Sequence, residues 1–311
     1  MPLDPLFEAY IAAQRRRRRS PLTLKAVEHA LWTAQRWLDS EQIAATDLSL
    51  LQCEQYFDTL LERNAVSTVR RHLAYLRAAY SYAVRHELVD HDPTAEVRLP
   101  NLPDHEPATY TNEQLRSIHA AIRTERETTA FFILAFAGLR LGETARLRWR
   151  DVDLEHRQLT VNGKSDKRRL VPLHPNLEHV LGELSTYSHE GQTVIVSISG
   201  QPLEPVTLGR AVRALVDRAG IEIDAPSHAF RRTLATTMYE QGIRTLVIER
   251  IMGWAPRRMY ERHYLRVADT AMREAILNLY REDPICGIRT HSIPHRRVRA
   301  RELETAPGQR S

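Results

Sequence analysis

Four prolines fall between positions 93 and 107, at Pro93, Pro100, Pro103 and Pro107. No helix can run through that stretch, because each proline lacks a backbone N–H and its ring clashes with the preceding turn. The chain is therefore divided there. Before it, the segments 20–39, 47–63 and 67–86 carry Leu, Ala, Val, Trp and Tyr at three- and four-residue spacing with charges between, which predicts helices. Ser20 followed by Pro21, Ser49 and Ser67 offer polar N-caps for them. The apolar face of 73–84, LAYLRAAYSYAV, is expected to pack these helices together.

After the prolines the pattern is mixed. A helix opens at Thr111, a buried one covers 128–139, and Gly138 and Gly142 bracket a turn-like break. Two short strands, 159–161 and 169–173, flank an Asn162-Gly163-Lys164 hairpin turn. Helices are predicted over 207–220, 227–241, 245–252, 257–267 and 269–280. The expected fold class is mainly α with a small β-sheet. A helical domain is expected at 1–97, a linker at 98–108, a mixed α+β domain at 109–283, and a poorly ordered basic tail, rich in Pro, Arg and His, at 284–311.

Composition removes whole classes. At 311 residues and 42% hydrophobic, the chain has length for two domains and a sizeable core. No apolar run reaches the roughly 18 residues of a membrane span, and the N-terminus lacks the basic-then-apolar order of a secretory signal. No membrane partner and a cytoplasmic, nucleoid-associated location are expected. Two cysteines, Cys53 and Cys286, rule out a disulfide scaffold and a four-cysteine zinc site. No HExxH, paired CxxC, GxGxxG or Walker loop occurs, which disfavours two-metal nucleases and nucleotide-driven motors. Lys and Arg outnumber Asp and Glu by 44 to 39, a net charge of +5, and most of the cations are Arg. That balance suits an anionic polymer, and equally a solvated Arg/Glu surface.

Four features carry candidate chemistry, each with an ordinary structural reading beside it. In GLRLGE at 138–143, Arg140 sits beside a tight turn after a buried helix, and Glu143 three residues on can fix its guanidinium; the plain alternative is a surface ion pair. Lys164 occupies a hairpin tip, where a lysine is usually just solvated. In HAFR at 228–231, His228 and Arg231 share a helix face near the positive end of the helix dipole, although such a pair arises by chance in an Arg-rich chain. Finally, Trp254 follows IMG at 251–253 and precedes a segment with Tyr260 and Tyr264, all of which can be core aromatics.

Taken in order, GLRLGE at 138–143, GKSDKRRLVPL at 163–173, HAFRRTLATTM at 228–238, IMGW at 251–254 and a following tyrosine resemble the motif set of the tyrosine recombinase (phage integrase) family. A simple Xer-like or transposon-type member is expected, as opposed to a phage integrase with an extra N-terminal arm-binding module. The resemblance implies a helical core-binding (SAM-like) domain followed by a mixed catalytic domain. It implies that Arg140 and Arg231 clamp the scissile phosphate, Lys164 protonates the leaving 5′ oxygen, His228 assists proton transfer and Trp254 donates its indole N–H. Glu143 would orient Arg140. The family spacing puts the nucleophile about nine residues past the turn, where His263 stands; Tyr264, one residue further, is the expected nucleophile and Tyr260 the alternative. Neither metal nor cofactor is implied. The implied partner is double-stranded DNA, with a homo-tetramer on synapsed sites and a monomer or weak dimer when free. A DNA-binding relative that does not cut, and a type IB topoisomerase-like enzyme, are the other readings. The Arg15–Arg19 run is placed for phosphate contacts or for a solvated arm.

Overall fold

A computed structural model describes residues 2–102, 108–163, 168–186, 189–197, 199–254 and 269–280. The chain forms two compact units, Met1–His105 and Glu106–Ser311.

The first unit consists of helices α1 (Pro5–Arg16), α2 (Pro21–Glu41), α3 (Leu50–Leu61) and α4 (Val66–Arg85). Their starts follow from local chemistry. Asp4 and Ser20 each cap a helix whose first residue is proline, and Ser49 forms a capping box with Gln52. The exception is α4. It begins before the expected Ser67 cap, with Ala65 as an N-cap that has no side-chain bond. The core closes on Phe7, Leu31, Phe57 and Tyr80, with Phe7 and Tyr80 in an edge-to-face pair and the Tyr80 hydroxyl donating to the Ala45 carbonyl at 2.7 Å. The arginine run is only partly an arm. Arg15 and Arg16 form the last turn of α1, where positive charge suits the helix dipole, and Arg15 pairs with Glu28 at 2.7 Å.

The proline stretch is tied down by α4. Arg77 donates to the carbonyls of Thr94, Ala95 and Val97, and Arg70 to those of Leu99 and Pro100. Backbone carbonyls that no helix or strand satisfies are thereby given charged donors.

The second unit opens with α5 (Asn112–Ala120) and α6 (Glu125–Phe132), the latter running into a π-helical turn, Ile133–Ala137. A short α7 (Leu141–Arg146) follows where the sequence suggested only a turn. Among the described residues the antiparallel sheet has three strands, β1 (Val152–Asp153), β2 (Gln158–Asn162) and β3 (Arg168–Pro172), in that order, with β1 beyond the two expected. Leu159 pairs with Val171 and Asn162 with Arg168. Among the described residues, helices α8 (Pro175–Ser185), α9 (Pro205–Arg218), α10 (Pro226–Glu240), α11 (Thr245–Met252) and α12 (Asp269–Leu277) follow, and the helix expected over 257–267 and the tail at 284–311 lie outside them. Helix α8 was not expected. The core joins α6, its π-helical turn, α9 and α10 through Phe131, Phe136, Leu208 and Phe230. Among the described residues, no helix is long and apolar enough to cross a membrane.

Candidate active site

The site grows from two helix ends. The π-helical turn stops at Gly138, whose φ of +58° is the left-handed conformation that glycine adopts without a steric penalty. A Cβ there would also lie 2.6 Å from Leu234 Cδ2. Leu139 is then fully buried, and Arg140 leads into α7 from an extended backbone. The second end is Gly253, at φ +62°, which closes α11. A Cβ on it would sit 2.8 Å from Arg169 Cδ. Gly138 thus makes room for the Leu234 and Met252 side chains, and Gly253 for Arg169, whose guanidinium caps a helix carbonyl.

Arg231, on α10, is 4% exposed. Its Nη1 donates to the Gly138 carbonyl and its Nη2 to that of Met252, so one side chain joins the ends of the π-helical turn and α11. Arg169, on β3, donates from Nε to the Ile251 carbonyl at 3.0 Å. Its Nη1 and Nη2 bind the Glu143 carboxylate at 3.0 and 2.8 Å. The same carboxylate accepts from the Arg140 backbone N–H and from Arg140 Nη1, both at 2.9 Å.

The electrostatics follow from burial. The Glu143 side chain is 5% exposed. Desolvation alone would raise its carboxyl, but the hydrogen bonds and charges of Arg169 and Arg140 outweigh it and hold the group at about 2. Arg231 is pulled down to about 9, first by burial and then by the Arg140 and Arg169 cations, with Glu143 opposing. It stays protonated at neutral pH. Three guanidinium groups against one carboxylate leave this cluster with uncompensated positive charge, a strong attractor for an anion in a partly desolvated setting. The Arg140 side chain, 40% exposed, is the cation of the three open to a ligand.

His228 lies in the first turn of α10, which Ala225 enters in the left-handed conformation at φ +48°. That strain is held by the segment 108–111: Tyr110 donates from its hydroxyl to the Pro226 carbonyl and from its backbone to Thr233 Oγ1, and Arg232 Nε donates to the Ala108 carbonyl. The His228 ring is lowered in pKa by partial burial and by the Arg232, Arg231 and Arg140 cations. Trp254, 41% exposed, lies with its ring centroid 5.9 Å from the Arg231 guanidinium carbon. Arg140, Glu143, His228, Arg231 and Trp254 thus belong to one neighbourhood, whereas Lys164, Tyr260 and Tyr264 lie outside the described residues. Among the described residues, no group of three or more His, Cys, Asp or Glu is placed to hold a metal ion.

Arg169 was missed by the sequence reasoning. The available signal was strand alternation, since Arg169 shares a strand face with Val171, which is wholly buried.

Comparisons with known proteins show the family of the chain. The model of the phage integrase family matches residues 109–271. Tyrosine recombinase XerD of Lacticaseibacillus casei is 24% identical over 74% of this chain and 83% of its own length. Tyrosine recombinase XerC of Lactobacillus delbrueckii subsp. bulgaricus is 26% identical over 81% of this chain and 90% of its own. Among solved structures, a lambda integrase dimer bound to a COC′ core site is similar at TM-score 0.70, with 16% identity, over 85% of this chain and 98% of that one. A lambda integrase tetramer bound to a Holliday junction is similar at TM-score 0.69, with 16% identity, over 85% and 79%. With its motifs in family order and a family match spanning more than half its length, this chain belongs to the phage integrase family of tyrosine recombinases.

Proposed function

We propose that the chain cuts and rejoins duplex DNA at a specific site through a 3′-phosphotyrosyl intermediate, without metal or nucleotide. The observation that carries this reading is the cationic cluster, in which Arg140 is locked on Glu143 beside a buried Arg231 that remains charged. Attack on a phosphodiester builds negative charge on the non-bridging oxygens. Preorganised guanidinium groups offset it without an ion.

In this reading the Tyr264 phenolic oxygen attacks phosphorus, its proton passes to the surroundings with help from His228, and the P–O5′ bond breaks. Lys164 protonates the departing oxygen, leaving a free 5′ hydroxyl and a tyrosyl phosphodiester. The number of phosphodiester bonds is unchanged, so the reverse attack by a 5′ hydroxyl reseals DNA with no external energy. Rejoining to a partner strand is recombination. The domain division expected from the sequence, with a helical DNA-binding part before a catalytic part, fits a protein that grips duplex DNA. Assembly as a tetramer on synapsed sites is the corresponding proposal for its active form.

The test is a library of nicked duplexes of randomised sequence, in which loss of a short 5′-hydroxyl fragment traps the covalent complex. Denaturing gels should show a protein–DNA adduct in EDTA, and sequencing of the trapped strands should give the site. The adduct should vanish in Tyr264→Phe and persist in Tyr260→Phe; the converse would move the nucleophile to Tyr260. Retarded complexes without any adduct would instead mark a DNA-binding protein that does not cut.

A further inference from the structure

We propose that Arg169 is a positioning residue for strand cleavage: it occupies half of the Glu143 carboxylate and so leaves Arg140 to present its guanidinium to the scissile phosphate. This rests on the function proposed above.

The division of the carboxylate is explicit. Oε1 accepts from Arg140 Nη1 and Arg169 Nη1, and Oε2 accepts from the Arg140 backbone and Arg169 Nη2. Arg169 reaches no substrate. Its side chain is 7% exposed, its Nη1 and Nη2 are held by Glu143 and its Nε by the Ile251 carbonyl. Arg140 is the opposite case, with one side-chain nitrogen on Glu143 and a side chain 40% exposed. A guanidinium and a carboxylate pair best through two parallel bonds. With Arg169 gone, Glu143 is a buried anion bonded to Arg140 alone of the three arginines, and the favoured response is for Arg140 to turn its fork inward. Its charge would then be neutralised by protein instead of meeting DNA. Gly253 fits the same account, because any Cβ there meets the Arg169 side chain at 2.8 Å.

A site recovered from the nicked library serves as substrate, with single-turnover adduct formation and gel-shift affinity read separately. Arg169→Met should slow adduct formation about a hundredfold, the cost typical of a misplaced reacting group, while changing affinity less than about threefold. Arg169→Lys keeps the charge and should fall within about tenfold of wild type. The decisive variant is Arg169→Met with Glu143→Gln. A neutral amide no longer competes for Arg140, so the double variant should form adduct at least about tenfold faster than Arg169→Met alone. A packing role predicts the reverse, with the double variant equal or slower, and that result overturns the inference. So does an Arg169→Met protein that cleaves within about threefold of wild type. If Arg169→Met does not fold, the double variant decides alone: cleavage within about tenfold of wild type supports the inference, and a deeper loss removes it. Should the wild type itself give no adduct, the proposed function fails and takes this inference with it.

Discussion

Arginine side chains cap backbone carbonyls in both units, with different consequences. In the first, Arg70 and Arg77 lie seven residues apart on α4 and hold the carbonyls of the proline stretch while remaining partly exposed. Their charge is screened by water. In the second, Arg231 and Arg169 hold the carbonyls of Gly138, Met252 and Ile251 from buried positions. Their charge is poorly screened and reaches Arg140, Glu143 and His228. The same hydrogen bond is a strut in one place and part of an electrostatic source in the other. Burial makes the difference.

The contrast is broken or sharpened most strongly within the site itself. Arg140→Ala should reduce adduct formation about 10²–10³-fold, the loss seen when one charge-stabilising donor is removed, with little change in melting temperature because the side chain is 40% exposed. Arg231→Ala should reduce it comparably and also destabilise the fold by about 3 kcal/mol, because two buried carbonyls lose their donor. Equal destabilisation by both variants in urea titrations would show that the two arginines are not divided in this way.

Acid should separate the units next. The Glu143 carboxyl is held at about 2, below its ordinary 4.5, so it contributes stability that is present above about pH 4.5 and lost as pH falls towards 2. The span corresponds to about 3 kcal/mol. Urea unfolding as a function of pH should show this loss in the wild type, and Glu143→Gln should flatten it. Parallel curves would mean that the carboxylate is not bound as described.

The smallest effect belongs to the first unit. Arg77→Ala should cost about 1–2 kcal/mol and speed hydrogen exchange at Thr94, Ala95 and Val97, yet leave adduct formation per folded molecule unchanged. A large fall in cleavage from this variant would abolish the distinction between strut and source.

Much of the molecule was legible because it is local. Helix α2 starts where Ser20 and Pro21 place it, and α3 where Ser49 meets Gln52, since capping acts within four residues. Ser67 misled for the same reason turned around: packing of Val69, Leu73 and Leu76 drew the helix back to Val66 without a side-chain cap. Helix α8 was missed although Leu177, Val180, Leu181 and Leu184 recur at helical spacing, the one local signal against it being Gly182 in its interior. The arginine excess, read as suited to an anionic polymer or to a solvated surface, proves to have a third use. Arg70, Arg77, Arg169, Arg213, Arg218, Arg231 and Arg232 all donate to backbone carbonyls.

The order of the motifs, the helical first hundred residues, the proline break and the pairing of Arg140 with Glu143 three residues on were all written in the chain, because each depends on neighbours or on a recurring pattern. The fold alone decided that Arg169 would share Glu143, and that Arg231 would join Gly138 to Met252. Those contacts span 26, 93 and 21 residues. Hydrophobic packing of α6, α10 and the sheet brings their partners together, and no periodicity along the sequence encodes which side chain will meet a distant helix end.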